Sequence, residues 1–303
     1  MGEAQPPRRL VTGELIEELA TMDADLIADG VSIGDHDVPP VDSLQTDPIL
    51  QLDHVVGGYG STTILHDTTF DVRRGAVTAV IGPNGAGKST ALRAVFGLVK
   101  VRSGHIWFDG DDIVGLDQVE LLRRGISFVP QGRNIFPSMS VRSNLELGGV
   151  SLRDLKLTRE RIESIAFQQF PVLARKANRQ AGTLSGGEQK MLEVGRALLL
   201  EPRLLLIDEP SIGLSPILVE QVFGLLRQLS DQGITILMIE QNAKKALQMS
   251  DHGIVLQQGR LVLSGTAREV LDHSGIGHLF LGGAVQVDTG EVAPRAAVDP
   301  ELG

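Results

Sequence analysis

Two rhythms of hydrophobic and polar positions run through residues 49–283. Ala76-Val77-Thr78-Ala79-Val80-Ile81 and Leu204-Leu205-Leu206-Ile207 are nearly continuous apolar runs, the pattern of parallel strands buried on both faces. Residues 52–56, 64–72, 104–110, 126–130 and 235–239 read as further strands, and residues 254–259 with 261–264 as a terminal hairpin. Gly57-Gly58-Tyr59-Gly60 reads as a turn. Helical spacing marks residues 91–96, 140–147, 158–170, 217–229 and the stretch ending at Leu200. Strands interleaved with helices predict an α/β domain. Residues 132–182, short helical pieces with polar joints, predict an inserted helical subdomain.

The two ends follow neither rhythm. Leu15, Leu19, Met22 and Leu26 fall at helical spacing among Glu14, Glu17, Glu18, Asp23 and Asp25. This predicts one acidic amphipathic helix, capped by Thr12 and ended by Gly30, on a mostly flexible extension spanning residues 1–48. Residues 284–303 are polar, contain proline and read as a disordered tail. The ends also carry the charge. The chain has a net charge of −10, of which residues 1–48 hold −9 and residues 284–303 hold −3, leaving the body at +2. A near-neutral body argues against a nucleic-acid partner. None of the 303 residues is cysteine, which excludes disulfides and thiolate metal sites. No apolar run approaches the ~20 residues of a membrane span, and residues 1–9 lack an apolar signal region. The expectation is a soluble protein that meets a membrane only through partners.

The candidate chemistry begins at Gly82-Pro83-Asn84-Gly85-Ala86-Gly87-Lys88-Ser89-Thr90. The nonapeptide fits the phosphate-binding pattern G-x-x-x-x-G-K-[ST] and has the required strand before it and helix after it. Its glycines let backbone N–H groups close around phosphate oxygens, and the helix N-terminus adds partial positive charge. Lys88 is placed to reach the β- and γ-phosphates, and Ser89 to offer its hydroxyl to Mg²⁺. Asp208 and Glu209 follow an apolar parallel strand, at the end where α/β sheets hold ligands. Asp208 is a candidate Mg²⁺ ligand, and Glu209 the candidate base that polarises the attacking water. Leu184-Ser185-Gly186-Gly187-Glu188 opens a helix and offers a second anion site through the Ser185 hydroxyl and the Gly186 and Gly187 N–H groups. One chain has no use for two γ-phosphate sites; a two-fold dimer, each chain capping the nucleotide of the other, uses both.

In this order the motifs resemble those of the ATP-binding subunits of ATP-binding cassette (ABC) transporters, over about residues 49–283. The resemblance implies a P-loop ATPase with an antiparallel β subdomain and a helical insert, binding ATP and Mg²⁺. Residues 82–90 look like Walker A, residues 204–209 like Walker B, and residues 184–188 like the family signature. Gln131 matches the glutamine that contacts Mg²⁺ and water, and Tyr59 the aromatic that stacks on adenine. Val129-Pro130-Gln131-Gly132-Arg133-Asn134-Ile135-Phe136-Pro137, Glu209-Pro210-Ser211-Ile212-Gly213-Leu214-Ser215-Pro216-Ile217, Ile239-Glu240-Gln241-Asn242-Ala243 and Leu281-Gly282-Gly283 narrow the resemblance. They are similar to the branched-chain amino acid (LivF-type) importers and their urea/amide relatives. That branch implies a second ATPase subunit, two transmembrane permeases, an extracytoplasmic solute-binding protein, and a place at the cytoplasmic face of the membrane. Gln241 stands where the family usually has its switch histidine, and Ser215 where it usually has an aspartate.

Two rival readings remain beside this one. A cassette ATPase acting on DNA or ribosomes usually carries two cassettes or a long coiled-coil insertion, and neither pattern occurs here. A regulatory ATP-binding subunit with little turnover is kept open by Gln241 and Ser215. The charge break yields a first prediction. Deleting residues 1–48 should leave ATP affinity and melting temperature unchanged; a large fall in melting temperature would show that the Leu15–Leu26 stripe packs on the body.

Overall fold

The computed structural model describes residues 48–149 and 158–273. Apart from Pro48, the predicted 1–48 helix with its Thr12 cap lies outside the described residues, as do Leu281-Gly282-Gly283 and the 284–303 tail.

The first strands build a small antiparallel sheet. It comprises β1 (Pro48–Tyr59), β2 (Thr62–Arg73), β4 (Lys100–Phe108) and β5 (Asp111–Asp112), in the order β2-β1-β4-β5. The predicted turn at residues 57–60 holds for Gly60, which turns with Ser61 at φ 53°, and is corrected for the three residues before it. Gly57, Gly58 and Tyr59 continue β1 and pair with both β2 and, for the two glycines, β4. Gly58 serves close approach rather than turning, because a Cβ on it would lie 2.1 Å from the Thr62 carbonyl oxygen.

A second sheet takes β3 (Val77–Ile81), β6 (Ile126–Val129), β7 (Leu204–Asp208), β8 (Thr235–Ile239), β9 (His252–Gln257) and β10 (Arg260–Thr266), in the order β10-β9-β3-β8-β7-β6. All its pairings are parallel except the terminal hairpin of β9 and β10. Every residue of β3, β7 and β8 is buried, because both faces are covered. The faces divide by strand alternation. Val80, Leu204, Leu206, Leu237 and Ile239 pack with the small sheet and with α1 (Lys88–Val95) and α2 (Gln118–Arg123). Ala79, Ile81, Leu205, Ile207 and Met238 pack under the remaining helices.

Those helices include α3 (Val141–Glu146), α4 (Arg159–Ile162) and α5 (Pro171–Arg175). Ser140 caps α3 and Thr158 caps α4, each side chain accepting a backbone N–H from the first turn. Beyond α4 the helix widens into π turns over Glu163–Phe167. It stops at Phe170, where the following proline excludes a helical conformation. Four longer or later helices follow: α6 (Gly186–Leu198), α7 (Pro216–Asp231), α8 (Ala243–Gln248) and α9 (Ala267–Asp272).

Asn144 fixes the start of the helical segment. Fully buried, it accepts the Phe136 N–H at 2.7 Å and donates to the carbonyls of Phe136 at 3.0 Å and Ser140 at 2.9 Å. Asn144→Ala orphans these buried groups, at a cost of ~2–4 kcal/mol. The melting temperature should fall by about 5–10 °C. A thermal scan showing no change would remove Asn144 from the framework of this segment.

Candidate functional site

Register puts the motifs together. Asp208 of β7 pairs with Ile239 of β8, Ile239 with Val80 of β3, and Ile207 of β7 with Val129 of β6. The chain therefore leaves four strands at one level, and residues 82–90, 131, 208–211 and 240–241 share the C-terminal edge of the sheet.

The phosphate-binding loop is folded against the terminal hairpin. Gly82 has φ 149°, and a Cβ there would lie 2.1 Å from the Leu256 carbonyl oxygen, so only glycine fits. The Ala86 N–H donates to Pro83 O at 3.1 Å, and the Gly259 N–H donates to Ala86 O at 2.9 Å. Gly87 begins α1 with no side-chain cap, and the first turn holds no acid. Its terminal N–H groups and dipole are left for an anion. Asn84 and Gly85 are exposed at the tip, while Ala86, Lys88 and Thr90 are buried. Lys88 Nζ donates to Gly82 O at 2.8 Å and Pro83 O at 3.0 Å. Burial pulls its ammonium below the usual lysine range, with the charges of Glu209 and Asp208 pulling it partly back.

Asp208 is completely buried and joined to the loop across 119 residues of sequence, the Ser89 hydroxyl donating to its Oδ1 at 3.0 Å. Its Oδ2 is buried without a hydrogen-bond partner; Arg93 Nη2 lies 3.7 Å away. Burial pushes the carboxyl above the ordinary range, against the Ser89 hydroxyl and the Arg93 charge. An orphaned carboxylate oxygen beside a hydroxyl is a fitting oxygen donor set for Mg²⁺. Among the described residues no three His, Cys, Asp or Glu side chains converge as a metal cluster. Mg²⁺ needs none, since it takes one or two carboxylates and completes its shell with phosphates and waters.

Glu209 is buried, and its backbone adopts the left-handed conformation, φ 50°. Gln131 donates from Nε2 to Glu209 Oε2 at 2.7 Å, so the structure brings these two predicted site residues into contact. Tyr59 exposes 44% of its surface at the end of β1, and its hydroxyl accepts a hydrogen bond from Arg93 Nη1 at 3.3 Å. Gln241 is exposed, and its N–H donates to Glu240 Oε2 at 3.2 Å.

The signature residues stand apart from this group: among the described residues no hydrogen bond or ion pair joins residues 185–188 to the loop. Ser185 and Glu188 form a reciprocal capping box, the Ser185 N–H donating to Glu188 Oε2 at 3.0 Å and the Glu188 N–H to Ser185 Oγ at 3.3 Å. Glu188 also accepts from Lys176 Nζ at 2.6 Å. The Glu188 carboxylate is thus engaged within its own chain. Gly186 and Gly187 lie against Leu214 and Leu218, which a Cβ at either position would press at 3.0 and 2.8 Å.

Two residues of the site escape the motif reading. Arg93 follows Ser89 by four positions on α1 and so shares its helix face, which is a legible signal. Glu240 is an acid directly after the buried strand β8, the same placement that singles out Asp208 and Glu209.

Comparison with known proteins agrees with this geometry. A family model described as ABC transporter matches residues 65–212. The high-affinity branched-chain amino acid transport ATP-binding protein BraG of Pseudomonas aeruginosa is 39% identical over 237 residues, covering 78% of this chain and 100% of that protein. The probable branched-chain amino acid transport ATP-binding protein LivF of Archaeoglobus fulgidus is 39% identical over 226 residues, covering 74% of this chain and 95% of its own. A crystal structure of an ABC-transporter ATP-binding cassette in its ADP conformation superposes with a TM-score of 0.70 at 31% identity, covering 78% of this chain and 99% of that one. A phosphate loop, its acidic partners and a capped signature helix on this fold, together with relatives matched nearly end to end, lead to one conclusion: the chain belongs to the ABC transporter family, as one of its ATP-binding, ATP-hydrolysing subunits.

Proposed function

We propose that this subunit powers an importer of branched-chain amino acids or of related small polar solutes such as urea and amides. ATP is the substrate. One observation carries the hydrolytic reading: Lys88, Ser89, Asp208, Glu209 and Gln131 meet at one sheet edge, with Glu209 hydrogen-bonded to Gln131 and Asp208 to Ser89. Residues 82–90 wrap the phosphates with backbone N–H groups, and Lys88 exchanges its two loop carbonyls for β- and γ-phosphate oxygens. The exposed Tyr59 ring stacks on adenine. Ser89 and Asp208 hold Mg²⁺, with Gln131 beside them; when bound, the ion supplies charge neutralisation on the phosphates. Glu209 accepts a proton from the attacking water, Gln131 fixes the direction of its carboxylate, and Gln241 hydrogen-bonds the γ-phosphate side.

The signature of one chain, Ser185, Gly186, Gly187 and Glu188, closes on the nucleotide of a second ATPase subunit. The exposed Ile212 and Ile217, on either side of Ser215, support such a contact. Residues 49–283 form the ATPase body with residues 132–182 as its helical subdomain, and residues 1–48 and 284–303 are appendages. Among the described residues no helix is long and apolar enough to cross a membrane. Two permease subunits carry the passage, hold this chain at the cytoplasmic face and receive solute from an extracytoplasmic binding protein. A cavity of about 410 Å³ lined in part by Phe96, Phe128, Pro130 and Leu200, with the half-exposed Phe136 at it, supports a docking place for them. A regulatory subunit with little turnover is the second reading, favoured by Gln241 in place of histidine.

Two substitutions test the reading. Lys88→Ala removes a charge-assisted contact worth ~1.5–3 kcal/mol. ATP affinity measured by calorimetry should fall about tenfold or more, and unchanged affinity would contradict the phosphate role. Glu209→Gln keeps shape but loses the base, so steady-state hydrolysis should fall ~10²–10⁴-fold while ATP still binds. Turnover equal to wild type would exclude Glu209 as the base, and wild-type hydrolysis near background would favour the regulatory reading.

A further inference from the structure

The hydrolytic reading leaves one buried acid at the sheet edge without a task. Glu240 is 2% exposed at the end of β8. Its Oε1 accepts the Ser211 N–H at 2.9 Å, and its Oε2 accepts the Ser211 hydroxyl at 2.7 Å and the Gln241 N–H at 3.2 Å. The residue before it, Ile239, accepts the Glu209 N–H at 3.0 Å. Residues 209–211 and 239–241 are thereby stitched together, and three of the four bonds end on one carboxylate.

The placement is demanding. A carboxylate after a fully buried strand loses its hydration, which pushes the Glu240 carboxyl above the ordinary range despite its three donors, and the nearby charge of Glu209 adds to the rise. Meanwhile Glu209 sits in the left-handed region, a conformation that a non-glycine residue keeps only when its surroundings hold it there. The Glu240 bonds to Ser211 act two residues beyond that point and anchor the loop that carries the strained residue. The same carboxylate fixes the backbone of Gln241.

We infer that Glu240 is a positioning residue for ATP hydrolysis: it clasps the loop after Glu209 to the backbone of Gln241, so that the base and the γ-phosphate switch are held as one unit. This rests on the reading of Glu209 as the base. Glu240 touches neither the water nor the nucleotide in this role. Its loss lowers the rate of the chemical step and leaves ground-state ATP binding, which depends on residues 82–90, in place.

The test uses the full-length chain with fluorescent N-methylanthraniloyl-ATP as binding probe and steady-state hydrolysis as rate. Glu240→Ala should lower kcat about tenfold or more, with the Kd of the probe and the KM for ATP within about twofold of wild type. Glu240→Gln keeps an acceptor for the Ser211 N–H and can donate to the Ser211 hydroxyl but offers the Gln241 N–H no acceptor, so it should restore part of kcat, more than Glu240→Ala and less than wild type. A Glu240→Ala kcat within twofold of wild type, or a loss of probe affinity as large as the loss of kcat, would overturn the inference. Should Glu240→Ala fail to fold, Ser211→Ala removes only the hydroxyl arm: a several-fold lower kcat at unchanged Kd supports the clasp, and a wild-type kcat overturns it. Glu209→Gln measured alongside separates the two levels. If it hydrolyses ATP like wild type, the base reading fails and this inference falls with it. If it is inactive while Glu240→Ala turns over normally, the positioning role alone is refuted.

Discussion

Parallel register is the constraint on which the site depends. Hydrogen bonds between β3, β8, β7 and β6 bring Val80, Ile239, Asp208, Ile207 and Val129 to one level. Everything the chain does next, from the loop at Gly82 to the acids at Asp208, Glu209 and Glu240, starts from that edge. A one-residue slip in a strand would turn its buried set to the opposite face and carry its terminal acid with it. Both faces of the sheet are packed, Leu205 and Ile207 on one side and Leu204 and Leu206 on the other, so such a slip is opposed by two cores at once. Stability of the core and placement of the chemistry are therefore one and the same requirement.

The edge concentrates charge where water is scarce. Lys88, Asp208, Glu209 and Glu240 are all buried, and each is supported differently. Lys88 leans on loop carbonyls, Asp208 on a hydroxyl, Glu209 on an amide, and Glu240 on two backbone N–H groups and a hydroxyl. Asp208 is the least satisfied, with one oxygen lacking any hydrogen bond. Isolated buried charge of this kind is costly for folding and valuable for binding, since a cation or a phosphate arriving there meets groups already stripped of water.

Much of this was legible in the sequence, for identifiable reasons. The phosphate loop is a local pattern between a strand and a helix, so its residues and their surroundings could be read together. Asp208 and Glu209 were legible as chemistry, but the bond from Ser89 spans 119 residues and only the sheet creates it. A glycine run suggests a turn, yet Gly57 and Gly58 continue a strand because they admit a close neighbour. The pair Ser185 and Glu188 fits the capping-box pattern, and the Glu188 carboxylate meets the Ser185 N–H and Lys176. Glu240 is placed after a buried strand as legibly as Asp208, but its partner Ser211 and those of Asn144 lie in loops whose path no periodicity encodes.

The most direct test is a crystal structure of the full-length chain grown with Mg²⁺ and a non-hydrolysable ATP analogue. The expected result is a triphosphate cradled by residues 82–90, with Lys88 Nζ moved from the Gly82 and Pro83 carbonyls onto phosphate oxygens and the metal bound between Ser89 and Asp208. A nucleotide bound elsewhere, or Lys88 still held by its own loop beside an occupied site, would contradict the central claim that this sheet edge is built to hold and hydrolyse ATP.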